Sequence, residues 1–104
     1  MIVSEADFAF ALREKLGGVR AKSVTGPGRS GAIASTYASH VLGIPFIPYG
    51  QEVPDRLRPL LIVDTARASG KSLRKAERRY GEAIVVAIFE EPPRVKFWYE
   101  AGAK

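Results

Sequence analysis

Residues 60–63 (LLIV) and 83–89 (AIVVAIF) carry no polar side chain. A strand wetted on one face alternates apolar and polar residues, so runs without alternation belong to strands covered on both faces, as in the parallel sheets of α/β proteins. Between the two runs, Leu73, Ala76 and Tyr80 recur at helical spacing within KSLRKAERRY, and Gly81 stands at the C-cap position. Strand, helix and strand in that order predict a right-handed crossover between parallel neighbours.

The rest of the chain extends this alternation. Ser4 followed three residues on by Asp7 is similar to a capping box, and Phe8, Leu12 and Leu16 predict a helix over about residues 5–16 that ends at Gly17-Gly18. A short strand over about 21–25 leads into GPGRSG (26–31), which opens a second helix with Ile33, Tyr37 and Val41 on its apolar face and Gly43 and Pro45 at its end. Phe46-Ile47-Pro48 reads as a second short strand, and 95–99 as a final edge strand after Pro92-Pro93. The expected fold is α/β, a doubly wound and mainly parallel sheet, and 104 residues make a single domain over 1–104.

Composition removes several chemistries. Without cysteine there is no disulfide framework, thiolate ligand or Cys nucleophile, and a lone histidine, His40, near a helix C-terminus fits a dipole partner better than a general base. No apolar run approaches the roughly 20 residues that span a bilayer. The start, MIVSEADFAFALREKL, carries acids where a signal peptide needs a basic opening, so a cytoplasmic location and no membrane partner are expected. The net charge is +5, and between residues 56 and 79 eight Lys or Arg face only Asp64 and Glu77. Such a field favours polyanions: phosphorylated metabolites, nucleic acid or an acidic partner.

Ligands of open α/β sheets bind beyond the carboxyl ends of the strands, where the strand order reverses. Two loops of unusual composition occupy that kind of position, and with sequence strands ordered 2-1-3-4 they face one crevice. GPGRSG offers glycines that let a ligand approach the backbone, amides at a helix N-terminus, and the forked donors of Arg29; the same residues also suit an ordinary strand-to-helix turn. DTARASGKS offers Ser69, Gly70, Lys71 and Ser72 at the start of a helix, a cradle for a phosphate monoester, with Asp64 placed to accept from sugar hydroxyls or hold Mg²⁺ through water. Ser69 as a plain N-cap and Asp64 as a turn former are the simpler readings. GKS does not complete a nucleoside-triphosphate P-loop, because Thr65 stands where its first glycine belongs.

Residues 19–48 and 59–90 resemble the core of the type I phosphoribosyltransferases, whose fingerprint is a hydrophobic strand, two adjacent acids, three variable residues and Thr-Gly-x-Thr. LLIVDTARASGKS matches it in length and register, with Asp64 on the first acid, Ser69 and Ser72 on the threonines and Gly70 on the glycine. GPGRSG is similar to the family's pyrophosphate loop, and the helix after it ends in LGIP as is common there. The resemblance implies a Rossmann-like phosphoribosyltransferase core that binds 5-phosphoribosyl 1-pyrophosphate (PRPP) or a nucleoside 5-phosphate. Gly28, Arg29 and Ser30 would hold the pyrophosphate with Mg²⁺, while Asp64 and Thr65, with Ala66, Arg67, Ala68, Ser69, Gly70, Lys71 and Ser72, would hold the ribose and its 5-phosphate. Arg29 and Asp64 are the catalytic candidates, and Phe97 or Trp98 of RVKFWYE would stack on a base, unless these rings are core or dimer contacts.

The departures from that pattern are equally specific. Thr65 replaces the second acid, Ala68 stands where hypoxanthine and guanine enzymes carry an Asp, the connector 49–59 is shorter than the family's mobile lid, and the base-selecting hood is missing. A second subunit could supply some of that cover, so a homodimer is among the expectations. Lys71, Arg74, Lys75, Arg78 and Arg79 fall on one side of the third helix, which is either a solvated face or a nucleic-acid contact. The leading expectation is a glycosyltransferase that moves ribose 5-phosphate to or from a nitrogenous base. Its competitor is a non-catalytic module on the same fold that senses PRPP or a nucleotide, or associates with nucleic acid.

Overall fold

The computed structural model describes residues 2–66, 71–89 and 96–101. In chain order the elements are β1 (Ile2–Val3), α1 (Glu5–Leu16), β2 (Ser23–Thr25), α2 (Gly28–Leu42), a short 3-10 turn (Asp55–Leu57), β3 (Leu60–Ala66), α3 (Lys71–Tyr80), β4 (Ile84–Phe89), β5 (Lys96–Phe97) and α4 (Trp98–Ala101). Strands β2, β3 and β4 form a parallel sheet in that order, with Leu60 opposite Ser23 and Asp64 opposite Ala87. Phe46 bridges to Val24 on the outer side of β2, which completes the expected 2-1-3-4 order. It remains one bridge because Pro45 and Pro48 flank it and neither has an N–H to donate.

The sheet is covered on both faces, as its apolar runs require. Leu61 and Val63 of β3 and Ile88 of β4 pack with Phe8, Leu12 and Leu16 of α1 and Ala34 and Ala38 of α2. Leu60 and Ile62 of β3 and Ala87 of β4 pack with Leu73 and Ala76 of α3 on the other side. The period-two alternation along β3 therefore divides its side chains between two cores, and each core is sealed by a helix. Helix α1 begins as its sequence predicts, with the Ser4 hydroxyl accepting from the Asp7 N–H at 3.1 Å. Helix α3 ends as predicted, where Gly81 at φ 78° donates to the Glu77 carbonyl. Among the described residues no helix is long and apolar enough to cross a membrane.

Two expectations change. The buried stripe of α2 is not Ile33, Tyr37 and Val41, which are only half-buried, but Gly31, Ala34, Ser35 and Ala38 at the same helical period. Small residues let this helix lie close on β2 and β3, and the larger side chains flank the contact. The final strand is also shorter than 95–99. Among the described residues the chain pairs with β1 at Lys96 and Phe97, apart from the main sheet, and then turns into α4. The Phe97 N–H donates to the Glu100 carboxylate at 3.0 Å, which favours a helical turn over a continued strand. Val95 lies outside the described residues.

Candidate functional site

The carboxyl ends of β2 and β3 meet the N-terminus of α2 at one crevice. Their approach is set by glycine: a Cβ on Gly26 would lie 2.2 Å from the Gly31 carbonyl oxygen and 2.5 Å from that of Val63. No other residue fits between these backbones, so the loop 26–31 is seated directly on β3. Gly28 follows at φ 67°, a conformation that L side chains rarely adopt, and the next residues enter α2 with its free amides at this end. Arg29 is exposed beside them and Ser30 half-buried.

On β3 the alternation sends consecutive side chains to opposite faces. Asp64 shares the parity of Leu60 and Ile62 and lies toward the α3 side, while Thr65 shares that of Leu61 and Val63 and lies toward α2. Asp64 is only 8% exposed, and burial pushes its carboxyl up to about 6. Hydrogen bonds from Thr65 oppose that shift, the clearest being the Thr65 N–H donating to Asp64 Oδ1 at 2.7 Å. Desolvation outweighs them, so the carboxylate is held at an energetic cost and gains from any donor brought to it. Ala66 ends the strand, and Lys71 and Ser72 are exposed in the first turn of α3. Arg67, Ala68, Ser69 and Gly70, expected to form the phosphate cradle, lie outside the described residues.

The C-terminal aromatics take separate places. Phe97 is 3% exposed, edge-on to Phe8 and Phe89, and Trp98 is half-buried against Phe8 and Tyr37. The ring at the crevice is Tyr99, stacked on Phe97 with 9° between the planes. Its hydroxyl lies 3.0 Å from Ser30 Oγ and 3.2 Å from Thr65 Oγ1, and the Arg29 guanidinium sits 5.7 Å from its ring centre. Tyr99 thus touches both the first turn of α2 and the end of β3. Of the three aromatics in KFWY it alone carries a hydroxyl, which can both donate and accept, and that is the signal that would have found it. A second residue passed over is Thr25, fully buried at the end of β2, whose hydroxyl has no hydrogen-bond partner among the described residues.

The connector 49–59 runs away from this crevice. Gly50 donates to the Tyr80 hydroxyl at 2.7 Å and accepts from Arg79 at 2.8 Å, and Ser23 donates to the Leu57 carbonyl at 2.7 Å. Tyr80 and Arg79 form the last turn of α3, which by chain direction is the end remote from Asp64. His40 is likewise exposed in the last turn of α2, away from that helix's crevice end. Among the described residues no cluster of three His, Asp or Glu could hold a metal ion. A divalent cation carried mainly by phosphate oxygens, with Asp64 bound through water, suits this donor set better than a metal held by the protein.

This is the fold of the type I phosphoribosyltransferases. Among solved structures, the xanthine-guanine-hypoxanthine phosphoribosyltransferase of Helicobacter pylori superposes with a TM-score of 0.72 at 14% identity, over 95% of this chain and 90% of that one. A purine phosphoribosyltransferase from Pyrococcus horikoshii Ot3 gives 0.63 at 20% identity, over 95% and 93% of the two chains. A hypothetical protein from Neisseria gonorrhoeae with bound ppGpp gives 0.60 at 16%, over 93% and 80%. No protein-family model matches the chain, and neither does any curated protein. At these identities the likeness is one of fold.

Proposed function

We propose that the chain works as one domain that binds PRPP, or a nucleoside 5-phosphate, in the crevice between loop 26–31 and the end of β3, and transfers ribose 5-phosphate to or from a nitrogenous base. The observation that supports this reading is the seating of Gly26 against Val63, which brings the N-terminus of α2 onto the carboxyl end of β3, the strand that carries Asp64. A ligand with phosphates at both ends of a sugar matches two anion sites joined by a carboxylate. Gly28, Arg29 and Ser30 take the pyrophosphate, Asp64 accepts from the ribose hydroxyls, and Lys71 and Ser72, with residues 67–70, take the 5-phosphate. Mg²⁺ bound to the pyrophosphate would neutralise charge on the departing group. As the C1–O bond breaks and the C1–N bond to the base forms, Arg29 stabilises negative charge on the leaving oxygens and Asp64 fixes the ring. No side-chain nucleophile is needed.

A binding module without turnover is the second reading, favoured by Thr65 in place of an acid and by the connector's attachment to the last turn of α3. Calorimetry with PRPP and Mg²⁺ tests what both readings share, and no heat at millimolar ligand would remove both. Pyrophosphate release on adding a panel of purine and pyrimidine bases separates them: release identifies a transferase, and binding without release identifies a sensor.

A further inference from the structure

The hydroxyl of Tyr99 lies within hydrogen-bond distance of Ser30 Oγ and Thr65 Oγ1, one from each wall of the crevice. A phenol has one proton, so it donates to one of these hydroxyls while accepting from the other. The two walls are therefore tied by a single group whose two contacts, 3.0 and 3.2 Å, span the gap between them. The same ring faces the Arg29 guanidinium, so it engages two of the residues that the proposed function gives to the pyrophosphate, Arg29 and Ser30, as well as Thr65 beside Asp64. A diphosphate oxygen bonded to Ser30 and a ribose hydroxyl bonded to Thr65 would require the space this hydroxyl fills. Phe97 and Trp98 anchor this segment against Phe8, so what moves is the half-buried Tyr99 side chain on the four-residue α4.

We infer that Tyr99 is a latch that closes the ligand-free crevice and is displaced when a sugar phosphate engages both loops. It rests on the proposed function for the identity of that ligand. The latch sets a selectivity: a ligand that replaces both hydrogen bonds recovers what it breaks, whereas one that reaches a single loop does not. Inorganic pyrophosphate, which can reach only the loop 26–31, should therefore compete poorly with PRPP.

The test is Tyr99→Phe, which keeps the stack on Phe97 and the ring beneath Arg29 while removing both hydrogen bonds. Folding is checked by thermal melting. The latch predicts faster amide hydrogen exchange in residues 28–31 of the ligand-free variant, and PRPP–Mg²⁺ binding tightened roughly three- to tenfold, the scale of one net hydrogen bond no longer broken. Unchanged exchange together with equal or weaker PRPP affinity would overturn the latch and leave Tyr99 as a structural contact or a ligand contact. Failure of the proposed function looks different: Asp64→Asn would then bind PRPP as the unaltered protein does, while the exchange measurement still decides on the latch.

Discussion

Replacing Asp64 by Asn should make the protein more stable and less able to bind. The carboxyl is 8% exposed and its pKa is raised from 3.8 to about 6, so burying the ionised form costs about 2 to 3 kcal/mol. The direction follows from proton counting. Below about pH 3.8 both folded and unfolded chains hold the proton and the site contributes nothing. Between 3.8 and 6 the folded chain keeps a proton that the unfolded chain has released, so stability falls as pH rises, and above 6 the whole cost is present. Asn is neutral throughout and keeps an oxygen to accept the Thr65 N–H. The variant should gain about 2 kcal/mol at pH 7.5 and only about a third of that at pH 4.5, read as urea midpoints through the fluorescence of Trp98, the one tryptophan. The same variant should lose PRPP affinity, because a carboxamide accepts sugar hydroxyls less strongly than a carboxylate. In the unaltered protein, affinity should rise with pH through about 6. Phosphate groups also titrate near 6, so the contribution of Asp64 is the part of that rise that the Asn variant lacks. A stability gain that is equal at both pH values, or a loss at pH 7.5, would refute the argument that Asp64 is a desolvated carboxylate.

Gly31→Ala should destabilise by more than about 2 kcal/mol, or prevent folding, since its Cβ would lie 2.4 Å from the Gly26 carbonyl carbon and 2.8 Å from Pro27 Cδ; thermal melting reads this directly. Arg29→Ala should leave the melting temperature nearly unchanged, the side chain being exposed, yet weaken PRPP binding by about 1 to 3 kcal/mol in calorimetry, the scale of lost charge-assisted hydrogen bonds. Thr25→Val removes a buried hydroxyl that has no partner among the described residues, so the ligand-free protein should be as stable or up to about 1 kcal/mol more stable by urea denaturation; a clear loss would mean that the hydroxyl is bonded in solution. Phe97→Ala should cost about 3 to 5 kcal/mol, because the ring packs into the α1 core; a base-stacking role alone would leave urea denaturation unmoved.

What the chain discloses before folding depends on how local each cause is. Strands β3 and β4 are legible because seven consecutive apolar residues in 83–89 have no reading as a half-wetted strand. The cap at Ser4 and the stop at Gly81 act within four residues and are equally legible. The stripe of α2 is not, because Gly31, Ala34, Ser35 and Ala38 are weak in hydropathy and the pattern follows Ile33, Tyr37 and Val41 instead. At the crevice, the glycines of loop 26–31 and the acid at the end of an apolar strand announce themselves. Tyr99 does not, since its place depends on Lys96 pairing with Ile2 at the other end of the chain. Thr25 is hidden for another reason: a threonine closing a buried strand is unremarkable until its hydroxyl is found without a partner.

Binding and turnover make different demands on this architecture. Holding a charged sugar phosphate needs amides, a guanidinium and a carboxylate within reach of one ligand, which the proposed function takes from Gly28, Arg29 and Ser30 at the start of α2 and from Asp64 at the end of β3. Transfer also needs water kept from C1 while the pyrophosphate leaves, or the sugar is hydrolysed instead of passed to a base. The connector 49–59 is a poor candidate for that cover, because Gly50 is bonded at both its N–H and its carbonyl to the last turn of α3, and Ser23 holds Leu57. The segment that already lies over the crevice is the one that carries Tyr99. If the phenol swings out as ligand enters, its ring keeps Phe97 as a hinge-side support and remains near C1, where it can shield the sugar or face a base. The catalytic reading therefore depends on the C-terminal turn, or a second copy of the chain, doing what a lid would do. The sensing reading asks only that the turn be displaced.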